Sequence, residues 1–427
     1  MRNFVRHKFQ AGALQFTVFI SVLIALLLAG ALLLAYTHRY FRQQSHDIIN
    51  NIQLADSGIA YLSTDKDASA DTIVLKIPGM PQEQLITANL SHWGIFEKAF
   101  VTASHRKKRF TKCALLGSWY SETSRPALYL QETFKPLALV GTTKIIGNAV
   151  IPKQGVKPGN ISGNNFYGSR LMQGALSVSD TVLPKLRYNY TEIIQRTLLQ
   201  YEPAPDEYIG ITAKSKIINL FTERTKGLFS SDEIILRDIW VQGNIIIRSD
   251  KKITISSNAV LKDVILIAPD IEIEAGTIGH FQAFAQNKIR VGENCRLIYP
   301  SALILVENKN LEPNPNDLLQ NQIYIDKSSI VNGSICYFST KPSYGYKLNI
   351  YTAPSARIKG EIYCEGNLEL RGTVAGTVYA KHLIVNEGGS IFVNHLYNAE
   401  IDSGKLQEVF GGILFDDTKK TTMKWLY

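Results

Sequence analysis

The sequence predicts a mainly β protein: an N-terminal transmembrane helix and stalk, a small β-rich region, then a single-stranded β-solenoid with a helical insertion. Three observations predict it. A basic start runs into an apolar stretch long enough to cross a bilayer as a helix. No proline occurs before Pro78, so nothing breaks that helix at the membrane surface. Farther on, aliphatic–x–Gly–x–aliphatic pentads and short aliphatic triplets recur at regular intervals, as stacked repeats require.

Residues 1–10 form a basic segment containing Arg2, Arg6 and Lys8, and residues 11–36 are the expected transmembrane helix. Arg39 and Arg42 follow it, so the charge balance favours a cytoplasmic N-terminus and an extracytoplasmic bulk. A cleaved signal peptide is the alternative, since "AGALLLA" offers small residues, but the apolar run exceeds the usual signal core. Residues 37–63 extend the helix as an amphipathic stalk, because Ile48, Ile49, Ile52, Ala55, Ile59 and Leu62 recur at three- and four-residue spacing. One helix from Gly12 to Leu62 would be roughly 75 Å long.

The leader, "GALQFTVFISVLIALLLAGALLLA" and "NNIQLADSGIAYL" together resemble the N-terminal helix of type IV pilin-like proteins, closest to minor pilins and K-type minor pseudopilins. The resemblance implies cleavage by a prepilin peptidase after Gly12, exposing Ala13. Most of that family carries glutamate at the fifth mature position; here it is Thr17, and K-type subunits are similar in lacking the acid. A plain membrane anchor is the rival reading.

From 71 to 140 the texture changes to "TIVLKI", "GIFEKAFVTA", "FTKCALL" and "ALYLQ", expected strands of a small antiparallel sheet. The run Arg106-Lys107-Lys108-Arg109 between two of them reads as a solvated hairpin tip, with a phospholipid or nucleic-acid contact as the alternative. A net charge of +9, otherwise spread along the chain, gives no further reason to expect nucleic acid. Residues 141–182 are expected to be the first solenoid-like turns, from Gly147 and Gly163 in "IIGNA" and "ISGNN". Residues 183–232 read as a helical insertion packed on a solenoid end, with Leu186, Tyr190, Ile193, Ile194 and Leu198 as one stripe.

Residues 233–405 are the solenoid proper. "VQGNI", "VNGSI", "IKGEI" and "VAGTV" repeat one form, and "ITI", "IEI" and "IRV" recur eighteen residues apart. That register stacks Ile253, Ile271 and Ile289 inward, and the alternation within "APDIEIEAG" then turns Glu272 and Glu274 outward. Glu272 should lie beside Thr254 and Arg290, and Glu274 between Ser256 and Gly292. Asp270, Glu272 and Glu274 are thus read as surface acids in an ion-paired wall. The alternative is a carbohydrate-cleaving face, joined by Asp263, or a calcium-binding one. The wall resembles the bactofilins, polymer-forming bacterial scaffolds whose rungs use a similar I-x-G-x-I form; the resemblance implies self-assembly, which the differing helix, middle region and insertion at 307–322 leave open. Residues 406–427 are expected to be a capping hairpin turning at "DDTKK", with Trp425 and Leu426 over the open final rung.

Cys113, Cys295, Cys336 and Cys364 have no metal-binding spacing and read as buried thiols, with a disulfide as the alternative. His280, His382 and His395 lack a second ligand nearby in sequence. No nucleotide, nucleophile-elbow or zinc-helix motif occurs, so no catalytic, cofactor or metal residue is assigned. The expected function is a non-enzymatic, single-pass inner-membrane protein of the bacterial envelope, presenting a solenoid to envelope proteins or glycans. Two alternatives stand beside it: a minor pilin-like tip subunit of a secretion or pilus system, and a polysaccharide-active enzyme.

Overall fold

A computed structural model of the chain describes residues 12–64, 67–76, 84–106, 108–120, 125–212, 214–308, 320–340, 345–407 and 409–426. The basic segment 1–10, Lys107 and most of the irregular stretch 307–322 lie outside them.

Helix α1, Gly12–Leu62, is unbroken over 51 residues. Its most apolar window has a mean hydropathy of 2.9 and is wholly unburied, so the helix is long and apolar enough to cross a bilayer. The hydroxyls within it donate to their own helix: Thr17 to the Leu14 carbonyl, Ser21 to that of Thr17 and Thr37 to that of Leu34. In lipid, which offers no water, this keeps them satisfied.

The far end of α1 is not a free stalk. It lies on an antiparallel sheet, with Ala55, Gly58, Ile59 and Leu62 buried against Ile86, Ala88, Ala99 and Val101. The packed face is rotated from the expected stripe, for Ile48 and Ile49 are 44% and 53% exposed. Asp47 and Asn51 occupy its upper end instead. Asp47 accepts from Gln43 at 2.9 Å and lies 3.3 Å from His105, while the Asn51 amide donates to the Lys108 carbonyl. Gly58 allows the close approach: a Cβ there would lie 2.5 Å from a Val101 methyl.

That sheet runs in the order β1 (Ser69–Leu75), β2 (Gln84–Trp93), β3 (Phe96–His105), β4 (Lys108–Trp119), then the C-terminal strand Lys419–Leu426. Arg106, Lys108 and Arg109 of the basic run lie at the end of the β3–β4 hairpin, where His105 pairs with Lys108. Three expectations are corrected. The strand at 84–93 was not foreseen, "ALYLQ" belongs to the solenoid, and the tail is one strand rather than a hairpin over the last rung. Pairing Trp425 with Ala114 and Leu426 with Cys113 closes the open edge of β4, a stronger demand than covering a rung.

The remainder is a parallel coil with three walls per turn. Ile253 pairs with Ile271 and Ile271 with Ile289, as the eighteen-residue register requires. The first wall stacks 216–219, 240–243, 260–262 and 278–280, and continues through Arg296, Ile330, Arg357 and Thr373. The glycine of the repeated pentad is the corner where the chain turns into the second wall. Gly360 and Gly376 have φ of +151° and +148°, and a Cβ on either would lie 2.0 or 1.8 Å from the carbonyl oxygen of the rung below. Only glycine fits.

Two further expectations change here. Residues 141–182 are not the first turns of the solenoid; together with 128–140 they lie at its finishing end. The rung begun by Glu400–Asp402 is completed on the second wall by Leu128–Leu130 and on the third by Leu137–Val140; 144–158 adds the next. Gly163 is therefore not a corner; it lies in the turn between Asn160–Ile161 and Asn164–Asn165. From Val178 at that end the chain returns along the second wall, and Tyr208 pairs with Gly227 at the other end. The expected helical insertion reduces to Tyr190–Ile193 and a π turn at Ile194–Leu198, seated on the side of the solenoid rather than its end. Lys216–Asn219 and Lys226–Ser230 are strands of the first rung, where Ile217 stacks on Val241 and Leu228 on Ile247.

The second wall is buried on both faces. Val264, Leu266, Leu303 and Ile335 fill the solenoid interior, whereas Ile265, Phe284, Ile304 and Phe338 pack outward on the antiparallel sheet and on Tyr190. Apolar runs such as "DVILIA" and "SALILV" record this, for only a doubly covered strand lacks alternation. The molecule is layered: helix, antiparallel sheet, solenoid.

Candidate functional site

The outward acids are the residues that the sequence singles out. Asp270 stacks between Lys252 and Lys288, accepts from the Asn287 amide at 2.6 Å and lies 3.6 Å from the Lys288 ammonium. Glu272 pairs in register with Thr254 and Arg290; its carboxylate is 2.6 Å from Lys252 and 3.9 Å from Arg290. The Lys252 hydrogen bond holds the Glu272 carboxyl below its ordinary range. Glu274 is half-buried at the following turn, its backbone N–H bonded to the Ile255 carbonyl. These acids alternate with cations up the third wall and do not converge. A general acid needs a raised carboxyl, and Glu272 is shifted the other way.

Asp263 points elsewhere. It sits at the corner between first and second walls with φ of +59°, where Lys424 from the C-terminal strand reaches it at 2.7 Å and His280 lies 3.2 Å away. Burial pushes the His280 imidazole down to about 4. His382 is likewise lowered to about 4 by burial, with its ring edge-on to Tyr346, and the His395 ring nitrogen lies 2.8 Å from the Val393 carbonyl. All four cysteines are buried and unbridged. Among the described residues, no group of three or more His, Cys, Asp or Glu side chains could hold a metal ion. Gly12 and Ala13 open α1, and nothing lies within 4 Å of a Cβ on Gly12.

Reading the chain alone passes over the polar groups that bind the layers together. Gln282 projects from the second wall into the β2–β3 turn, accepting from the Ile95 N–H at 3.1 Å and donating to the Trp93 carbonyl at 2.8 Å. Glu97 of β3 and Lys420 of the C-terminal strand form a fully buried pair at 2.7 Å, and the Tyr188 hydroxyl also donates to Glu97. Burial pushes the Glu97 carboxyl up and the Lys420 ammonium down, and their contact opposes both shifts. Glu361, beside the corner Gly360, accepts from Ser334 and from the Ile413 N–H, with Arg125 nearby. Burial pushes its carboxyl up to about 7. The available signal was a lone polar residue in an apolar run, as in "FQAF". It marks a covered position without saying what covers it.

No family model matches the chain, and no curated protein matches its sequence. Among solved structures, the competence-associated pilin ComZ from Thermus thermophilus is similar at 8% identity and a TM-score of 0.26, with 84% of this chain and 88% of that one covered. A likeness that low establishes neither a shared fold nor a shared role.

Proposed function

We propose that this chain is a non-enzymatic structural or assembly protein of the bacterial envelope, held in the inner membrane by α1 with its solenoid head outside the cytoplasm. One observation carries the reading. The helix passes without a break from its unburied apolar part into the part packed on the sheet. Simple attachment needs only a flexible linker. A continuous helix sets the height and tilt of the head above the bilayer, as assembly of subunits in register requires. The outward acids support a structural role, being matched with cations from rung to rung. Protease added to intact spheroplasts should digest the head and leave a membrane-protected N-terminal fragment; full protection would overturn the topology.

The same continuity favours a second reading, a minor pilin-like tip subunit, since the unburied apolar half of α1 is open to neighbouring helices as well as to lipid. It requires cleavage between Gly12 and Ala13. Mass spectrometry of the purified N-terminus should then find a chain beginning at Ala13, and an intact Met1 would remove this reading.

A further inference from the structure

The three walls differ in what faces outward. The second is covered by the antiparallel sheet, and the third carries the alternating charges. Over the eight rungs from Lys216 to Ala375 the first wall presents five basic side chains and no acid at its outward strand positions: Lys216, Lys262, Arg296, Arg357 and Lys359; the next rung adds Glu400 and Asp402, both paired with Lys405. Asp263, at the corner beside them, is held by Lys424. Among the described residues none of the five is in a salt bridge; Lys216 and Lys262 instead lie over the Trp240 ring at 5.2 and 4.7 Å.

Their spacing is regular. Following the pairing, Lys216 lies on one rung, Lys262 two rungs later, Arg296 two after that, and Arg357 with Lys359 two later still. Neighbouring rungs are about 4.8 Å apart, so positive charge recurs every ~9.6 Å. The rungs between carry apolar or amide side chains: Trp240, its ring already flanked by the two lysines, with Gln242, then Ile278, then Ile330 and Asn332. Ile278 and Ile298 are 55% and 45% exposed, and a groove of about 520 Å³ opens between Lys262, Ile278 and Tyr299.

A linear polysaccharide matches this pattern. Two sugar rings span about two rungs, the C–H faces of sugars rest on aliphatic and aromatic surface, and amides serve hydroxyls. Phosphates of a nucleic-acid duplex come about every 3.4 Å per strand, far denser than this row of cations. We propose that the first wall is the binding face for a linear anionic polysaccharide carrying one charge per disaccharide. The proposal rests on the reading of the head as a surface presented in the envelope, and narrows its partner to this chemistry.

The test uses the full-length protein in detergent, with hyaluronan as the probe and dextran and single-stranded DNA as comparators. Binding is measured for the wild type, for Lys262→Ser/Arg296→Ser/Arg357→Ser, and for a charge-matched control on other surfaces, Lys185→Ser/Lys251→Ser/Lys327→Ser. Hyaluronan should bind the wild type and the control alike, weaken by about tenfold in the first-wall variant, and outcompete both dextran and DNA. Absence of hyaluronan binding, equal loss in the two variants, or tighter binding of DNA would overturn the proposal. Binding is read on purified protein and topology on spheroplasts, so either can fail while the other stands.

Discussion

Ile271 and Glu272 are chain neighbours that face opposite ways, and replacing each tests the register of the wall. Ile271 is 1% exposed between Ile253 and Ile289, whereas Glu272 makes exposed pairs with Lys252 and Arg290. Ile271→Asp buries a carboxylate with no partner, costing several kcal/mol, and should abolish folding. Glu272→Ala should cost under about 1 kcal/mol. Thermal melts in detergent check this, and a reversed order would mean that the faces are exchanged. This contrast was legible in the sequence because alternation and an eighteen-residue repeat fix which side chains turn inward. Glu361 was not. Periodicity gives its direction, but its burial comes from the 412–413 segment, fifty residues on in the chain. Its carboxyl, raised by burial to about 7, binds a proton more tightly in the folded state. That contribution to stability is complete below the ordinary carboxylate pKa of about 4.3 and is lost as pH rises through about 7. Relative to Glu361→Gln, the wild type should therefore lose melting temperature between pH 5 and pH 8. Parallel curves would show that Glu361 ionises without cost.

Among the elements, the C-terminal strand matters most to how the layers hold together. Lys420 from this strand meets Glu97 inside the sheet, and Lys424 reaches Asp263 on the solenoid. Lys420→Met leaves Glu97 buried without its cation and should cost about 3–5 kcal/mol; Glu97→Met added to it should recover much of that loss. Denaturant unfolding of the single and double variants measures both. A double variant no better than the single would mean that the pair is not what fixes the strand. The length of α1 was readable from the absence of proline and the run of apolar spacing. The partner of the last strand was not, since pairing Trp425 with Ala114 joins segments some three hundred residues apart and leaves no local mark in either. The same holds for the rung shared by Glu400–Asp402 and Leu128–Leu130: both read locally as strands, and only assembly shows that the earlier segment stacks after the later one. The strands at 216–219 and 226–230 read as helix in the sequence because adjacent apolar pairs, Ile217–Ile218 and Leu228–Phe229, break strict alternation and give a spacing a helix could also satisfy.

At the scale of the whole molecule, the proposed role requires α1 to join membrane and head as one body. Ala55, Gly58, Ile59 and Leu62 seat the helix on the sheet, and Gln282 seats the sheet on the solenoid. Motion between bilayer and solenoid must then break one of these contacts. The most direct test places spin labels at Phe41→Cys, 65% exposed on the helix, and Lys251→Cys on the solenoid surface. The four native thiols are buried and should remain unlabelled. In lipid nanodiscs, pulsed electron–electron resonance should give a single narrow distance distribution, unchanged between detergent and bilayer. A broad distribution would contradict the account, because the helix would then be a tether and the head free to tumble above the membrane.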